Sequence, residues 1–214
     1  MPVIIMDPCH FTQSGLLSYM VDRGIDRDNI VLTSDVSALQ SDCQQHQPGA
    51  VFINEACFID LPEASKHVKC TITQHPDTLF FLFMSLSTIQ FAEYLHIRNN
   101  VIITSKSIQP VTLDRLLNSY FHQTINTDLC YHDAKGARPL TLSRTESNML
   151  KMWMSGNNTS EISSKMQITI KTVSSHKGNI KRKIKTHNMQ VIHHVVRLTD
   201  NVTSVIFINA GGNH

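Results

Sequence analysis

Two domains of different class are predicted along this 214-residue chain: an α/β domain with a five-stranded parallel sheet, then an all-α domain of four helices. Three observations carry that prediction. Short apolar runs alternate with helical spacings from the N-terminus to residue 120, the pattern of a sheet covered by crossover helices. Residues 124–139 are polar, include Gly136 and Pro139, and show no periodicity. Beyond them, two helix-start signatures precede a strongly basic helical stretch at 169–185.

The first strand is the apolar run 3–6, ending at Asp7-Pro8. Leu16, Leu17, Met20 and Val21 follow at helical spacing, with a stop near Gly24. A second strand spans 30–32, a weaker helix 36–45, and a third strand 50–53 after the Pro48-Gly49 turn. The run LFFLFM at 79–84 is the strongest strand, followed by a helix near 89–97 and a fifth strand at 101–104. Pro110 suits a helix start, and Val111, Leu113, Leu116 and Leu117 mark the apolar face of the helix behind it. Five strands with five helices make the flavodoxin-like arrangement, which response-regulator receivers share.

The second domain is helical throughout. Ser143 with Glu146, and Asn158 with Glu161, have the capping-box spacing that satisfies two orphaned backbone donors at a helix start. They open one helix that stops near Gly156 and a shorter one that ends near Met166. A turn at 167–169 leads into the basic helix, with Thr169 as its cap. Asn188 caps a last helix whose apolar band is Val191, Ile192, Val195, Val196 and Leu198. The sequence thus divides into a receiver-like domain at 1–123, a linker at 124–139, a DNA-binding domain at 140–201 and a tail at 202–214. Within the tail, 205–209 has the character of an edge strand.

Composition bounds the function. With 41% apolar and 17% charged residues the chain is expected to be an ordinary folded protein rather than a disordered one. No apolar run approaches the roughly 18 residues of a membrane span, and no signal-peptide pattern is seen, so a cytoplasmic protein without a membrane partner is expected. Cys9, Cys43, Cys57, Cys70 and Cys130 are scattered and never in C-x-x-C spacing, which favours buried reduced thiols over disulfides or zinc. The twelve histidines include no H-E-x-x-H pattern. No metal, no cofactor and no catalytic residue is expected, and no enzyme motif is present.

The charge distribution is more telling than the net charge of +2. Between Glu161 and Asp200 there is no acid, while Lys165, Lys171, Lys177, Lys181, Arg182, Lys183, Lys185 and Arg197 supply eight positive charges, leaving 11 basic against 17 acidic residues elsewhere. An acidic body joined to a basic segment points to a polyanion as partner. Helical angles over 169–185 place Ile170, Val173, Ile180 and Ile184 on a buried stripe. Lys171, Ser175, Gly178, Asn179 and Arg182 fall opposite, flanked by Ser174, Lys181 and Lys185 on one side and Thr172, His176 and Lys183 on the other.

Short helix, tight turn and longer basic helix make a helix-turn-helix, and double-stranded DNA is the expected ligand. The N-terminal half of such a helix meets base edges, so Lys171, Ser174, Ser175 and Gly178 are the candidate readers. Lys177, Lys181, Arg182, Lys183 and Lys185 are candidates for phosphates, with Lys177 near the apolar stripe and obliged to snorkel outward. Six neutralised phosphates would give a log-log salt slope of about −5.

Leu142-Ser143-Arg144-Thr145-Glu146, Glu161-Ile162, Lys171-Thr172-Val173, His176, Asn179-Ile180 and Lys183-Ile184 resemble the LuxR/FixJ-type helix-turn-helix signature over roughly residues 136–201. That resemblance implies a four-helix DNA-binding domain whose last helix can pair protomers, so a homodimer is one expectation. The stretches VFINEACF (51–58), SRTESNMLKMWMSG (143–156) and KTVSSHKGNIKRKIKTHN (171–188) are similar to auxiliary activators of capsular exopolysaccharide genes within that family. This closer resemblance implies a heterodimer with the response regulator RcsB, bound at a shared promoter box. An independent homodimeric regulator that senses a small ligand is the alternative. A protein-only modulator is less compatible with the acid-free helix.

The resemblance to receivers also exposes a departure. Receivers place an acidic pair after the first strand and a phospho-accepting Asp at the end of the third. Here Asp7 is followed by Pro8 and Cys9, and the third strand ends in Asn54-Glu55. Ser85 and Lys106 resemble the family's hydroxyl and lysine, but neither replaces the acceptor, so no phosphoacceptor is expected. Asp7, Asn54, Glu55, Ser85 and Lys106 form a candidate polar pocket that is a relic of the fold.

Overall fold

A computed structural model describes residues 1–85, 94–125 and 142–203, with side chains to 118 in the second stretch. The chain divides into two compact units, Met1–Arg138 and Pro139–His214. Most of the linker, the tail strand at 205–209 and Cys130 lie outside the described residues.

In the first unit the elements run β1 (Val3–Met6), α1 (His10–Val21), β2 (Ile30–Thr33), α2 (Val36–His46), β3 (Ala50–Asn54), α3 (Pro62–Gln74), β4 (Leu79–Met84), β5 (Tyr94–Arg98), β6 (Val101–Ser105) and α4 (Pro110–Ile125). The sheet order is β2-β1-β3-β4-β6-β5. All pairings are parallel except β5 with β6. The fold is flavodoxin-like, but the sheet has six strands and not the expected five.

The additional strand, β5, takes up residues 94–97 of the helix expected near 89–97, and residues 89–93 lie outside the described residues. The physical reason is local. Tyr94, Leu95 and Ile97 fit either period over so short a run, and Asn99-Asn100 turns the chain straight back onto β6. An antiparallel partner needs only such a tight turn, where a parallel one needs a long crossover. The Asn100 side chain then anchors the turn by donating to the carbonyls of His75 and Thr78, both at 3.2 Å.

Periodicity alone does not predict helix α3. Its buried face is half polar, with Ser65 and Thr71 beside Val68 and Ile72, so the apolar spacing alone is too thin to show a helix. The Ser65 hydroxyl donates to the Phe58 carbonyl and the Thr71 hydroxyl to the His67 carbonyl, which makes those positions tolerable inside.

Alternation along the strands decides which side chains meet which helices. Val3, Ile5, Phe52, Phe81 and Phe83 form one cluster with Met20 of α1 and Leu113, Leu116 and Leu117 of α4. The alternate residues Ile4, Val51, Ile53, Phe80 and Leu82 are equally buried, and the buried faces of α2 and α3 are left to cover them. Across the outer surfaces of α1 and α4, the Tyr19 hydroxyl donates to Asp114 at 2.5 Å and Arg23 pairs with the same carboxylate. Arg23, then Tyr19, hold the Asp114 carboxyl down to about 2. Two of the thiols expected inside, Cys9 and Cys70, are exposed, while Cys43 and Cys57 are buried. Cys9 sits in the turn before α1, where the backbone leaves the sheet.

Phe52 stacks on Phe81 and Phe83, with ring centroids 4.8 and 5.9 Å apart, and is 1% exposed. Phe52→Ala is expected to lower the unfolding free energy by about 3–5 kcal/mol. Denaturant titration of the full chain, followed by far-UV circular dichroism, measures this.

Candidate nucleic-acid interface

The second unit holds α5 (Arg144–Met154), α6 (Thr159–Met166), α7 (Ile170–Lys183) and α8 (Met189–Val202). Both capping boxes form as the spacing implies, Ser143 with Glu146 and Asn158 with Glu161. Helix α6 ends with Gln167 in the left-handed region at φ +54°. There the Ile168 amide donates to the Ser163 carbonyl and the Gln167 amide to the Ser164 carbonyl, a Schellman closure. The Ser163 hydroxyl ties the turn from the side by donating to the Ile168 carbonyl at 2.6 Å. Thr169 then caps α7, its hydroxyl accepting from the Thr172 amide at 3.1 Å.

The angle of α7 is set by a small core. Met149, Ile162 and Val173, one from each of α5, α6 and α7, are fully buried together, with Met152, Trp153, Met166 and Ile168 packed around them. Ile180 and Ile184 continue the buried stripe of α7. Ile170 does not: it is 55% exposed, contrary to the stripe assignment. Helical angle alone put it inside, but it opens the first turn of α7, ahead of the point where α5 and α6 close over the helix.

The exposed side of α7 carries Lys171, Ser174, Ser175, Gly178, Arg182 and Lys183, with Lys185 just past its end. Thr172, His176, Asn179 and Lys181 are half-buried at its borders. A Cβ built on Gly178 meets nothing within 4 Å, so no neighbour in the chain demands glycine there. His176 Nδ1 is buried without a hydrogen-bond partner among the described residues. At the far end, Lys185 is left-handed at φ +57°, and the Thr186 amide closes the helix on the Lys181 carbonyl.

At least three of the expected phosphate ligands, Lys177, Lys181 and Lys183, make contacts within the unit, Lys181 with its ammonium 5.8 Å from the centre of the Trp153 ring. The Lys177 ammonium lies 4.7 Å from the centre of the Trp153 ring and donates to the Thr159 hydroxyl at 3.1 Å. Burial there, and then Lys181, pull its pKa below the ordinary value. Lys183 donates to Glu146 at 2.6 Å. Glu146 is 4% exposed and is also the third residue of α5, accepting from the Ser143 amide at 2.8 Å. One carboxylate therefore joins the start of α5 to the end of α7. Sequence spacing alone offers no sign of this contact between residues 37 apart.

In the first unit the five polar residues singled out from sequence come together. Asp7 Oδ2 accepts from Lys106 Nζ and from Asn54 Nδ2, each at 2.9 Å, and its Oδ1 accepts from the Cys9 amide at 2.8 Å. The Ser85 hydroxyl donates to Asn54 Oδ1 and the Ser85 amide to Glu55 Oε1, both at 2.5 Å. Asp7 and Glu55 are each 2% exposed. The Asn54 side chain thus bridges Asp7 and Ser85, and Ser85 bridges Asn54 and Glu55.

Comparison with known proteins follows this division. Residues 2–129 match the family model described as the transcriptional regulator RcsA, N-terminal dimerisation domain, and 140–196 match the bacterial regulatory proteins of the luxR family. The transcriptional regulatory protein RcsA of Erwinia amylovora is 60% identical over 209 residues, covering 98% of this chain and 99% of that one. Those of Pantoea stewartii subsp. stewartii and Escherichia coli O157:H7 are 58% and 50% identical, with the same coverage of both chains. Among solved structures, the response regulator RcsB in complex with DNA shares the fold with a TM-score of 0.51 at 17% identity, over 95% of this chain and 99% of that one. These domains define a DNA-binding transcriptional regulator with a receiver-like N-terminal unit and a LuxR-type helix-turn-helix. Within that class, the chain belongs to the RcsA family of transcriptional regulators.

Burial raises the Glu146 carboxyl, but the Lys183 hydrogen bond and the Ser143 amide outweigh it and hold it below its ordinary value of 4.5. A folded value below the unfolded one gives stability that is present above pH 4.5 and lost as pH falls through the folded value. Glu146→Gln is expected to flatten the acid side of the melting-temperature profile of the C-terminal unit. Lys183→Ala should cost about 1–3 kcal/mol at neutral pH. Thermal melts in a pH series test both, and an unchanged acid limb in Glu146→Gln would contradict the assignment.

Proposed function

We propose that the chain activates transcription of capsular exopolysaccharide genes as a heterodimer with the response regulator RcsB at a shared promoter box, without aspartyl phosphorylation of its own. The observation that carries this reading is the exposed face of α7. It offers DNA small polar readers, while three of its cations are already in contact within the unit, Lys177 and Lys181 with the Trp153 ring and Lys183 with Glu146. Such a helix positions itself weakly and gains from a second DNA-binding unit beside it.

In this reading Lys171, Ser174, Ser175 and Gly178 face base edges. Lys181, Arg182 and Lys185 lie along phosphates, with Thr172, His176 and Asn179 at the margins. Residues 1–123 serve as the pairing domain, 124–139 as linker, 140–201 as the DNA-binding domain and 202–214 as tail, all acting in the cytoplasm. The Asp7–Asn54–Lys106 network supports a pocket that takes no phosphoryl group. A homodimer acting alone is the second reading, favoured by the match of residues 2–129 to a dimerisation domain that names no partner.

Titration of labelled promoter DNA with this protein alone, and then with the response regulator, separates the two. Strong binding only with the partner is expected; tight specific binding without it would favour the homodimer. Incorporation of label from acetyl phosphate into the chain would overturn the unphosphorylated reading. If Lys181, Arg182 and Lys185 each neutralise one phosphate, this chain contributes a log-log salt slope of about −2.7, against about −5.4 for six contacts. The slope lost on replacing those three residues by Ala measures it.

Gly178 gives an independent check. Gly178→Ala is expected to stabilise the helical unit by about 0.5–1 kcal/mol while weakening DNA binding, because an added methyl intrudes only where a base or phosphate approaches. Unchanged affinity with raised stability would make Gly178 an ordinary surface glycine.

A further inference from the structure

We propose that Ile170 and Ser174 together read one A·T base pair in the major groove, Ile170 by covering the thymine C5-methyl and Ser174 by accepting a hydrogen from the adenine amino group. The inference rests on the reading of α7 as the recognition helix and adds to it a chemical rule for a single base pair.

Ile170 is 55% exposed, whereas Val173, Ile180 and Ile184 on the same helix are 0% exposed. It stands in the first turn of α7, directly after the Thr169 cap and beside exposed Lys171 and Ser174. Recognition helices present that turn to base edges. A large apolar side chain there gains only by meeting an apolar surface. On the major-groove edges of the base pairs the one such group is the thymine methyl.

Ser174 supplies the second half. Its hydroxyl donates to the Ile170 carbonyl at 3.1 Å, so its hydrogen is used within the helix. What the exposed oxygen retains is acceptor capacity. Donors on the major-groove edges are the amino groups of adenine and cytosine, and of these only adenine is paired to a base bearing a methyl. Acceptor and apolar contact, one helical turn apart, therefore agree on A·T and disfavour C·G. Neighbouring Lys171 donates only and so cannot compete for the same groups.

The test uses the full-length chain with a fixed concentration of the partner response regulator. Duplexes are first selected from a random-sequence pool, and single thymines in the selected duplex are then replaced by deoxyuridine, which removes the methyl alone. Wild-type affinity, read by fluorescence anisotropy, is expected to fall about fourfold at one thymine of this chain's half-site, the effect of burying one methyl. Ile170→Ala should bind the unmodified duplex about as weakly and show no further loss at that position, while Ile170→Val keeps most of the sensitivity. Ser174→Ala should relax the preference for adenine at the paired position. Indifference of the wild type to every deoxyuridine, or equal losses in wild type and Ile170→Ala, would overturn the proposal while leaving DNA binding intact. If the wild-type chain changes nothing in what the partner selects alone, the DNA reading itself fails and this proposal with it.

Discussion

The carboxylate of Glu146 ties the helical unit together from both ends. As the third residue of α5 it completes the capping box with Ser143, and through Lys183 it holds the last turn of α7. Between those two points Met149, Ile162 and Val173 fill the space where α5, α6 and α7 meet. An apolar contact alone is non-directional and lets a helix roll about its axis. The ion pair at the far end supplies direction. The face that α7 exposes thus depends on a charge pair within the unit, and Lys177, Lys181 and Lys183, read from sequence as phosphate ligands, also contact the scaffold.

A second network has the corresponding role in the α/β unit. Asp7 lies at the end of β1, Asn54 at the end of β3, Ser85 follows β4 and Lys106 follows β6, so the carboxyl edge of the sheet converges on one point, as the topology of such folds requires. In this chain the convergence is closed by a lysine and an amide. Asp7 is paired to Lys106, and the equally buried Glu55 accepts from the Ser85 amide. These bonds link the ends of β1 and β3 to the segments that follow β4 and β6.

Much of the architecture was readable in the residues. Apolar runs placed β1, β3, β4 and β6 within a residue or two, because a strand buried on both faces must be apolar throughout. Capping boxes placed α5 and α6 because backbone donors at a helix start need nearby acceptors wherever the helix lies. The readings that did not hold share another cause. β5 and α3 carry short or half-polar patterns that fit more than one element, and only pairing with β6 or hydrogen bonds to neighbouring carbonyls resolves them. Ile170 has the right angle for burial but the wrong height along the helix. Cys9 and Cys70 depend on which turn or helix face carries them.

By itself, then, the sequence determined the two-domain division, the acid-free helix, the helix-turn-helix order and the lack of an aspartate at the end of the third strand. These are properties of local spacing and residue type, and local chemistry expresses them in any context. Tertiary structure decided the sixth strand, the exposure of Ile170, and the capture of Lys177 by Trp153 and Lys183 by Glu146. Each of those depends on what another segment places within a few ångströms, and for a flexible cation the nearest acceptor or aromatic face in space, not in sequence, sets its task.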